Sequence, residues 1–286
     1  MGNLRLTNVR DSDEMAASRK SELDIDRSFA RALGHSAVDA SFRGKYKCND
    51  EDVDWGAAVE NAVKLRRSIP PDEAVQIDHP PVIDETEVEV ANETTLAAAY
   101  RLVKLRPMAL NFANGIHPGG GFLNGARAQE EFLCRSSALF RTLVDDPMYE
   151  THRIRPVPDS TSWVIYSPDV PVFRTDGRNN IAEPWTLSFF TCAAPVATRI
   201  GQPASRLLLS ERIDRILGLA AALRYETLIL GAWGCGAFGN DPITTAIDFR
   251  DALAEKYDGR FSKVVFAVTD WSPERRMLKP FVEAFS

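Results

Sequence analysis

The stretch NFANGIHPGGGFLNGARAQEE, Asn111–Glu131, leaves an apolar run and enters a helix, and its reading decides the fold. The run that overlaps its start, PMALNFAN from Pro107, is too short for a helix before the glycines and predicts a buried strand ending near Asn111. Three consecutive glycines, Gly119, Gly120 and Gly121, cost backbone entropy on folding. They point to positive φ or to a surface that a ligand touches, with a merely tight turn as the alternative. The loop matches neither GxGxxG nor GxxxxGK[ST], so a dinucleotide enzyme is unsupported, although backbone N–H groups can hold phosphate without either motif. A helix from Ala128 to about Leu143 follows.

Outward from this stretch the same alternation repeats. Upstream, Thr86–Ala91 has the period of a strand and Thr95–Leu105 that of a helix. Downstream, strands are expected at Trp163–Ser167 continuing through Val170–Phe173, at Leu187–Ala193, at Thr227–Gly231 and at Phe261–Val268, with helices over Ser205–Leu223 and Pro242–Lys256. Such alternation predicts an α/β fold with a mixed or parallel sheet covered by helices on both faces. The first seventy residues read as helical and polar, with helices at Glu22–Leu33 and Trp55–Arg66, the latter stopped by Pro70-Pro71; Ile77–Ile83 is an irregular crossing. Residues 1–82 are thus expected as a helical elaboration packed on a core of residues 83–286.

A second loop, GAWGCGAFGNDP from Gly231 to Pro242, also leaves a strand and enters a helix, whose start Asp241 and Pro242 mark. Gly234, Cys235, Gly236, Ala237, Phe238 and Gly239 form a segment whose successive amides can face a diphosphate. Trp233 and Phe238 offer flat surfaces for a ribose or a base, or else fill the core. In open α/β sheets ligands bind beyond the carboxyl ends of strands, where both loops should meet.

Glu130 and Glu131 are a pair of acids between a glycine loop and an apolar helix. Neighbours on a helix differ by about 100°, so the two cannot flank one glycosidic bond symmetrically, and one of them is the candidate proton donor or acceptor. Helix capping is the competing explanation, because acids in a first turn interact well with exposed N–H groups.

Composition sets bounds without naming a function. The 286 residues are 44% hydrophobic and 26% charged, which excludes disorder as the main state, and no window is apolar for long enough to span a membrane or serve as a signal peptide. An intracellular, cytoplasmic protein is expected. The net charge of −6 argues against sequence-blind or sequence-specific nucleic-acid binding. Between Ser68 and Tyr100 there are eight carboxylates and no Lys or Arg, read as a solvated face beside the sheet. Cys48, Cys134, Cys192 and Cys235 are too scattered for a redox pair or thiolate cluster, and His35, His79, His117 and His152 form no metal-binding motif, so neither a metal nor a cofactor is expected.

Gly119-Gly120-Gly121, seven intervening residues and then Gln129-Glu130-Glu131 reproduce a GGG…QEE signature, and through it the chain resembles the bacterial-type poly(ADP-ribose) glycohydrolases. The resemblance extends from about Ile83 through Val268 and implies a macrodomain fold with an N-terminal helical extension. It implies that ADP-ribose lies across the strand ends, its diphosphate against Gly234–Gly239 and its distal ribose beneath Phe238. Glu131 matches the family's catalytic glutamate and Glu130 the partner that orients ribose hydroxyls, with Asn111 and Asn114 near the distal ribose. The activity implied is hydrolysis of ribose–ribose O-glycosidic bonds of poly(ADP-ribose) from chain ends, by a monomer whose partners are ADP-ribosylated macromolecules and whose product is ADP-ribose. A non-hydrolytic ADP-ribose-binding module of the same fold would need both loops and have no use for Glu131.

Overall fold

The computed structural model of the chain describes residues 3–176 and 178–286. In chain order the first elements are β1 (Leu4–Arg10), α1 (Asp13–Leu23), α2 (Arg27–Arg43), β2 (Lys45–Cys48), β3 (Glu51–Asp54), α3 (Gly56–Leu65) and β4 (Arg67–Ile69). Then come β5 (Thr86–Ala91), α4 (Thr95–Arg101), β6 (Met108–Ala113), α5 (Gln129–Ser136), α6 (Leu139–Leu143) and α7 (Pro147–Arg153). The remainder is β7 (Val164–Arg174), β8 (Asn180–Ala193), α8 (Ala197–Ile200), α9 (Ala204–Ala222), β9 (Thr227–Leu230), α10 (Pro242–Asp251), β10 (Lys263–Ala267) and α11 (Lys279–Phe285).

Eight strands form one sheet in the order β1-β5-β10-β9-β6-β8-β7-β4, and β2 and β3 form a separate antiparallel hairpin. From β1 to β8 every pairing is parallel; β7 and β4 add antiparallel at one edge. The central strands β10, β9 and β6 are short and mostly apolar, as strands covered on both faces tend to be. Their side chains alternate between two cores. Leu228, Leu230, Val264, Phe266 and Phe190 face the layer of α9, α10 and α11, while Ile229, Val265 and Phe189 face the layer that includes α2, α3 and α5.

The mixed α/β architecture is the one expected, and several details differ. Residues 1–82 are not purely helical, because they supply both edges of the large sheet: β1 pairs with β5 and β4 with β7. β1 is a mostly exposed edge whose Arg5 pairs with Glu85, so its polar residues mask the strand period; β4 has three residues, too few for any period. Met1 and Gly2 of that expected elaboration lie outside the described residues. The helix expected over Glu22–Leu33 is interrupted, and Asp26 instead starts α2 by accepting the N–H groups of Ser28 and Phe29. The helix expected from Ala128 to Leu143 is two helices, since Ser137 is extended (φ −143°, ψ 174°) and bridges to Val172 of β7. The acidic segment is largely paired: Glu87 meets Lys263, and buried Glu89 accepts Arg101 at 2.7 Å.

α11 closes one face by packing Phe281 and Phe285 on Phe266, with ring centroids 5.1 and 4.9 Å apart. Phe266 is fully buried, so Phe266→Ala is expected to cost about 3–5 kcal/mol of unfolding free energy. Urea denaturation at unchanged m-value measures it.

Candidate active site

β5, β6, β8, β9 and β10 run parallel, so their carboxyl ends share one edge of the sheet. β6 and β9 are neighbours, but the chain proceeds from β6 towards β8 and from β9 towards β10, on opposite sides. The loops after them therefore diverge and leave a crevice between. A cavity of about 270 Å³ fills it, with walls from each of these strand ends: Thr94, Phe112, Ala194, Phe238 and Thr269 among them.

The loop after β6 is tied down by the acids it precedes. Glu131 Oε1 accepts the Gly121 N–H at 2.9 Å and Oε2 the Ala128 N–H at 3.0 Å, the latter a helix cap on α5. Glu130 Oε2 accepts the Asn114 N–H at 2.7 Å, and its Oε1 lies 3.4 Å from Asn111 Nδ2. Both glutamates are buried. Gly120 sits against them with φ +59°, and a Cβ there would lie 2.4 Å from Glu131 Oε1 and 3.0 Å from Glu130 Oε2. Gly119 is also left-handed, at φ +70°, whereas Gly121 is not. The glycine run thus serves both expected purposes, an unusual backbone and a close approach, and what approaches is the acid pair. Gln129 does something else: its Oε1 accepts the Phe112 N–H at 2.9 Å, and its Nε2 donates to Thr95 Oγ1 and the Leu110 carbonyl. Its amide braces α5 against β6 and α4, although the residue also borders the cavity. Asn111 is wholly buried and donates to Thr191 Oγ1; Asn114 Oδ1 accepts the N–H groups of Ile116 and His117.

The loop after β9 lines the cavity opposite Phe112, Ala113 and Arg127–Gln129, while Asn111, Asn114, Gly119–Gly121, Glu130 and Glu131 lie behind that wall and do not border the cavity themselves. Gly234, at φ +76°, and Gly239, at φ +72°, are turn positions; a Cβ on Gly234 would strike Asn240 and Ala194 at 2.6 and 2.7 Å, and one on Gly239 would strike Thr198 at 2.6 Å. Gly236 has open space where a side chain would be. Gly236, Ala237 and Phe238 line the cavity. Trp233 is fully buried in the core and borders the cavity too, so core filling is its main part. Cys235 points inward, near Thr245 Oγ1, and burial pushes its thiol up to about 12. Of the expected binding segment, Cys235 is therefore the side chain turned away from the cleft.

The family model of the microbial-type PARG catalytic domain matches residues 35–175. Nothing among curated proteins matches the chain. Among solved structures it is similar to the poly(ADP-ribose) glycohydrolase (PARG) of Thermomonospora curvata, 36% identical over 90% of this chain and 99% of that one, with a TM-score of 0.83. The same enzyme bound to the inhibitor ADP-HPD matches at 38% identity, 90% and 99% coverage and a TM-score of 0.84. The Deinococcus radiodurans PARG in complex with ADP-ribose is 38% identical over 79% of this chain and 96% of that one, with a TM-score of 0.74. The chain belongs to the microbial-type poly(ADP-ribose) glycohydrolase family.

This glycohydrolase site has parts that sequence reasoning passed over. Glu93, Thr94 and Asp176 border the cavity, and burial pushes the Asp176 carboxyl up to about 6 although the Thr94 hydroxyl donates to it. Arg135, buried next to Glu131, donates to the Ala126 carbonyl at 2.6 Å and stacks over Phe132; burial draws its guanidinium down to about 10, which still leaves it charged at neutral pH. α7 stands behind the glycine loop and has a recognisable start signal, Asp146 before Pro147 with its carboxylate accepting the Met148 N–H. Among the described residues no group of three or more His, Cys, Asp or Glu could hold a metal ion, no helix is long and apolar enough to cross a membrane, and the cysteines, all four of them buried, are free.

Burial pushes the Glu130 carboxyl up to about 8, against the pull of the Asn114 N–H, and the Glu131 charge adds to the rise. The folded chain therefore holds a proton on Glu130 over a range, from about 4.5 to about 8, in which the unfolded chain has released it. Stability from this group is full at the acid end and is lost as pH rises through that window. Calorimetry should find that Glu130→Gln flattens the fall of Tm between these limits.

Proposed function

We propose that this poly(ADP-ribose) glycohydrolase cleaves the ribose–ribose O-glycosidic bond with Glu131 as proton donor and Glu130 as its partner at the ribose hydroxyls. The observation that carries the reading is the Glu131 carboxylate, fixed by the Gly121 and Ala128 N–H groups at the start of α5 beside the parallel strand ends. A carboxylate has about four lone-pair positions, so two backbone bonds leave room for a proton and a substrate oxygen. As the bond breaks, positive charge grows on the ribose and negative charge on the departing oxygen, which Glu131 protonates. The resulting carboxylate then takes a proton from the water that attacks the ribose, and the acid is restored. Glu130, holding its proton at neutral pH, can both donate to and accept from a hydroxyl.

ADP-ribose in this reading lies across the strand ends, its diphosphate against the amides of Gly234–Gly239 and its distal ribose near Phe238, Asn111 and Asn114. Support comes from the cavity between the two loops and from the ligands named for the similar enzymes. The family likeness also supports release of ADP-ribose from chain ends by a monomer acting in the cytoplasm on ADP-ribosylated macromolecules. Product sizing on polymers of defined length tests the chain-end part.

Glu131→Gln should lower turnover of poly(ADP-ribose) by at least ~10²-fold and leave ADP-ribose affinity within about tenfold, a change of at most ~1.4 kcal/mol. Kinetics with calorimetry on the purified variant decides it, and wild-type turnover would remove Glu131 from the chemistry. Gly236→Val should weaken ADP-ribose binding without moving Tm, since its side chain enters open space in the cleft, whereas Gly234→Val should lower Tm because its Cβ meets Ala194 and Asn240. Calorimetric titration and thermal melts of the two variants separate ligand contact from fold.

A further inference from the structure

His152 lies on α7 and is 4% exposed. Its Nδ1 stands 3.0 Å from the Gly115 carbonyl oxygen, and its Nε2 is 2.7 Å from Thr161 Oγ1 and accepts the Thr161 N–H at 3.1 Å. A backbone N–H only donates, so Nε2 must carry the lone pair. The ring proton is therefore on Nδ1 and is donated to Gly115. Partners on both sides specify one neutral tautomer.

Gly115 follows Asn114, whose N–H holds Glu130 and whose Oδ1 organises the next turn through Ile116 and His117. The His152 bond thus grips the loop one residue from its contact with the acid pair. Packing reinforces the grip. A Cβ on Gly115 would lie 2.3 Å from Ser160 Oγ, 3.3 Å from Ala193 Cβ and 3.4 Å from His152 Nδ1, so the segment from His152 to Thr161 lies flush against the loop.

We propose that His152 is a positioning residue for the hydrolysis: its imidazole, locked between Thr161 and the Gly115 carbonyl, holds the loop at the register in which Asn114 engages Glu130. The proposal rests on the reading of Glu130 and Glu131 given above. It makes the loop sensitive to acid, because a proton on Nε2 would face the Thr161 N–H. The charged groups around the ring are Arg212 of α9 and, after α7, Arg155 and Asp159. Asp159 is paired with Arg155, and Arg212 donates to the Asp159 carbonyl. Burial, with the two guanidiniums, holds the imidazole down to about 4, against the pull of the Gly115 carbonyl and Asp159. The unfolded chain binds this proton near 6.5, so the stability contributed by the neutral ring is full above that value and is lost as pH falls towards about 4, where the folded protein itself takes up the proton and the clamp opens.

The test compares wild type, His152→Ala and His152→Asn in steady-state hydrolysis of poly(ADP-ribose) across the acid range, with ADP-ribose calorimetry on each. Asn places an N–H donor where Nδ1 was and does not titrate. We expect His152→Ala to lower kcat about 10- to 100-fold with KM changed less than about threefold. His152→Asn should recover most of kcat, and its acid-side decline should move to lower pH. If His152→Ala fails to fold, the Asn profile decides alone. A wild-type kcat in His152→Ala, or an Asn profile superposing on that of wild type, overturns the role of His152. Glu131→Gln run in parallel separates the two levels: full turnover there sinks the acid-pair reading and the positioning role with it.

Discussion

Two adjacent carboxylates buried beneath a glycine loop are the constraint on which the site depends. An acid removed from water costs several kcal/mol unless donors meet its oxygens. Those donors are the N–H groups of Asn114, Gly121 and Ala128, all on the loop or at its junction with α5. Loop and acids therefore specify each other. The loop closes over the carboxylates only because Gly120 lacks a Cβ, and the carboxylates tolerate burial only because the loop presents its amides. Arg135 beneath supplies a buried positive charge, and Gln129 fixes where α5 begins relative to β6.

The sheet decides where this unit faces. Parallel strands bring six carboxyl ends to one edge, and the divergence of the chain after β6 and β9 keeps that edge open between them. A cleft results without any helix having to move aside. The N-terminal segment completes it from outside: α2 approaches the loop closely enough that a Cβ on Gly34 would lie 2.8 Å from the Phe122 carbonyl, while Arg27 donates to the Asn124 carbonyl at 3.0 Å. Residues that lie far from the glycine loop in sequence thereby help hold its shape.

How much of this was legible follows from the kind of signal each part carries. Strands covered on both faces, such as β6, β9 and β10, announce themselves as short apolar runs, and the two glycine loops mark the ends that matter. β1 and β4 are edges, one charged and mostly exposed and the other three residues long, so burial leaves no pattern in them. The break in the helix at Ser137 has no proline or glycine; it comes from a bridge to β7, a tertiary bond that no local window contains. Asp176 and His152 were invisible for the same reason. Single polar residues in ordinary surroundings acquire shifted protonation only when the fold buries them.

Capping and catalysis looked like rival explanations of Glu131 in the sequence; on the proposed reading one carboxylate, held by the Gly121 and Ala128 N–H groups, serves both. The bond from the Ala128 N–H is a helix cap and alone would justify an acid at this position. A cap alone, however, has no need of the second bond from Gly121, of a glycine forced to positive φ against the carboxylate, or of a second acid buried until it holds its proton at neutral pH. Burying that second acid costs folding free energy, which the loop amides offset. On the proposed reading these features together produce a carboxylate whose position is set before substrate arrives, and preorganisation of that kind lowers a barrier rather than raising a melting temperature.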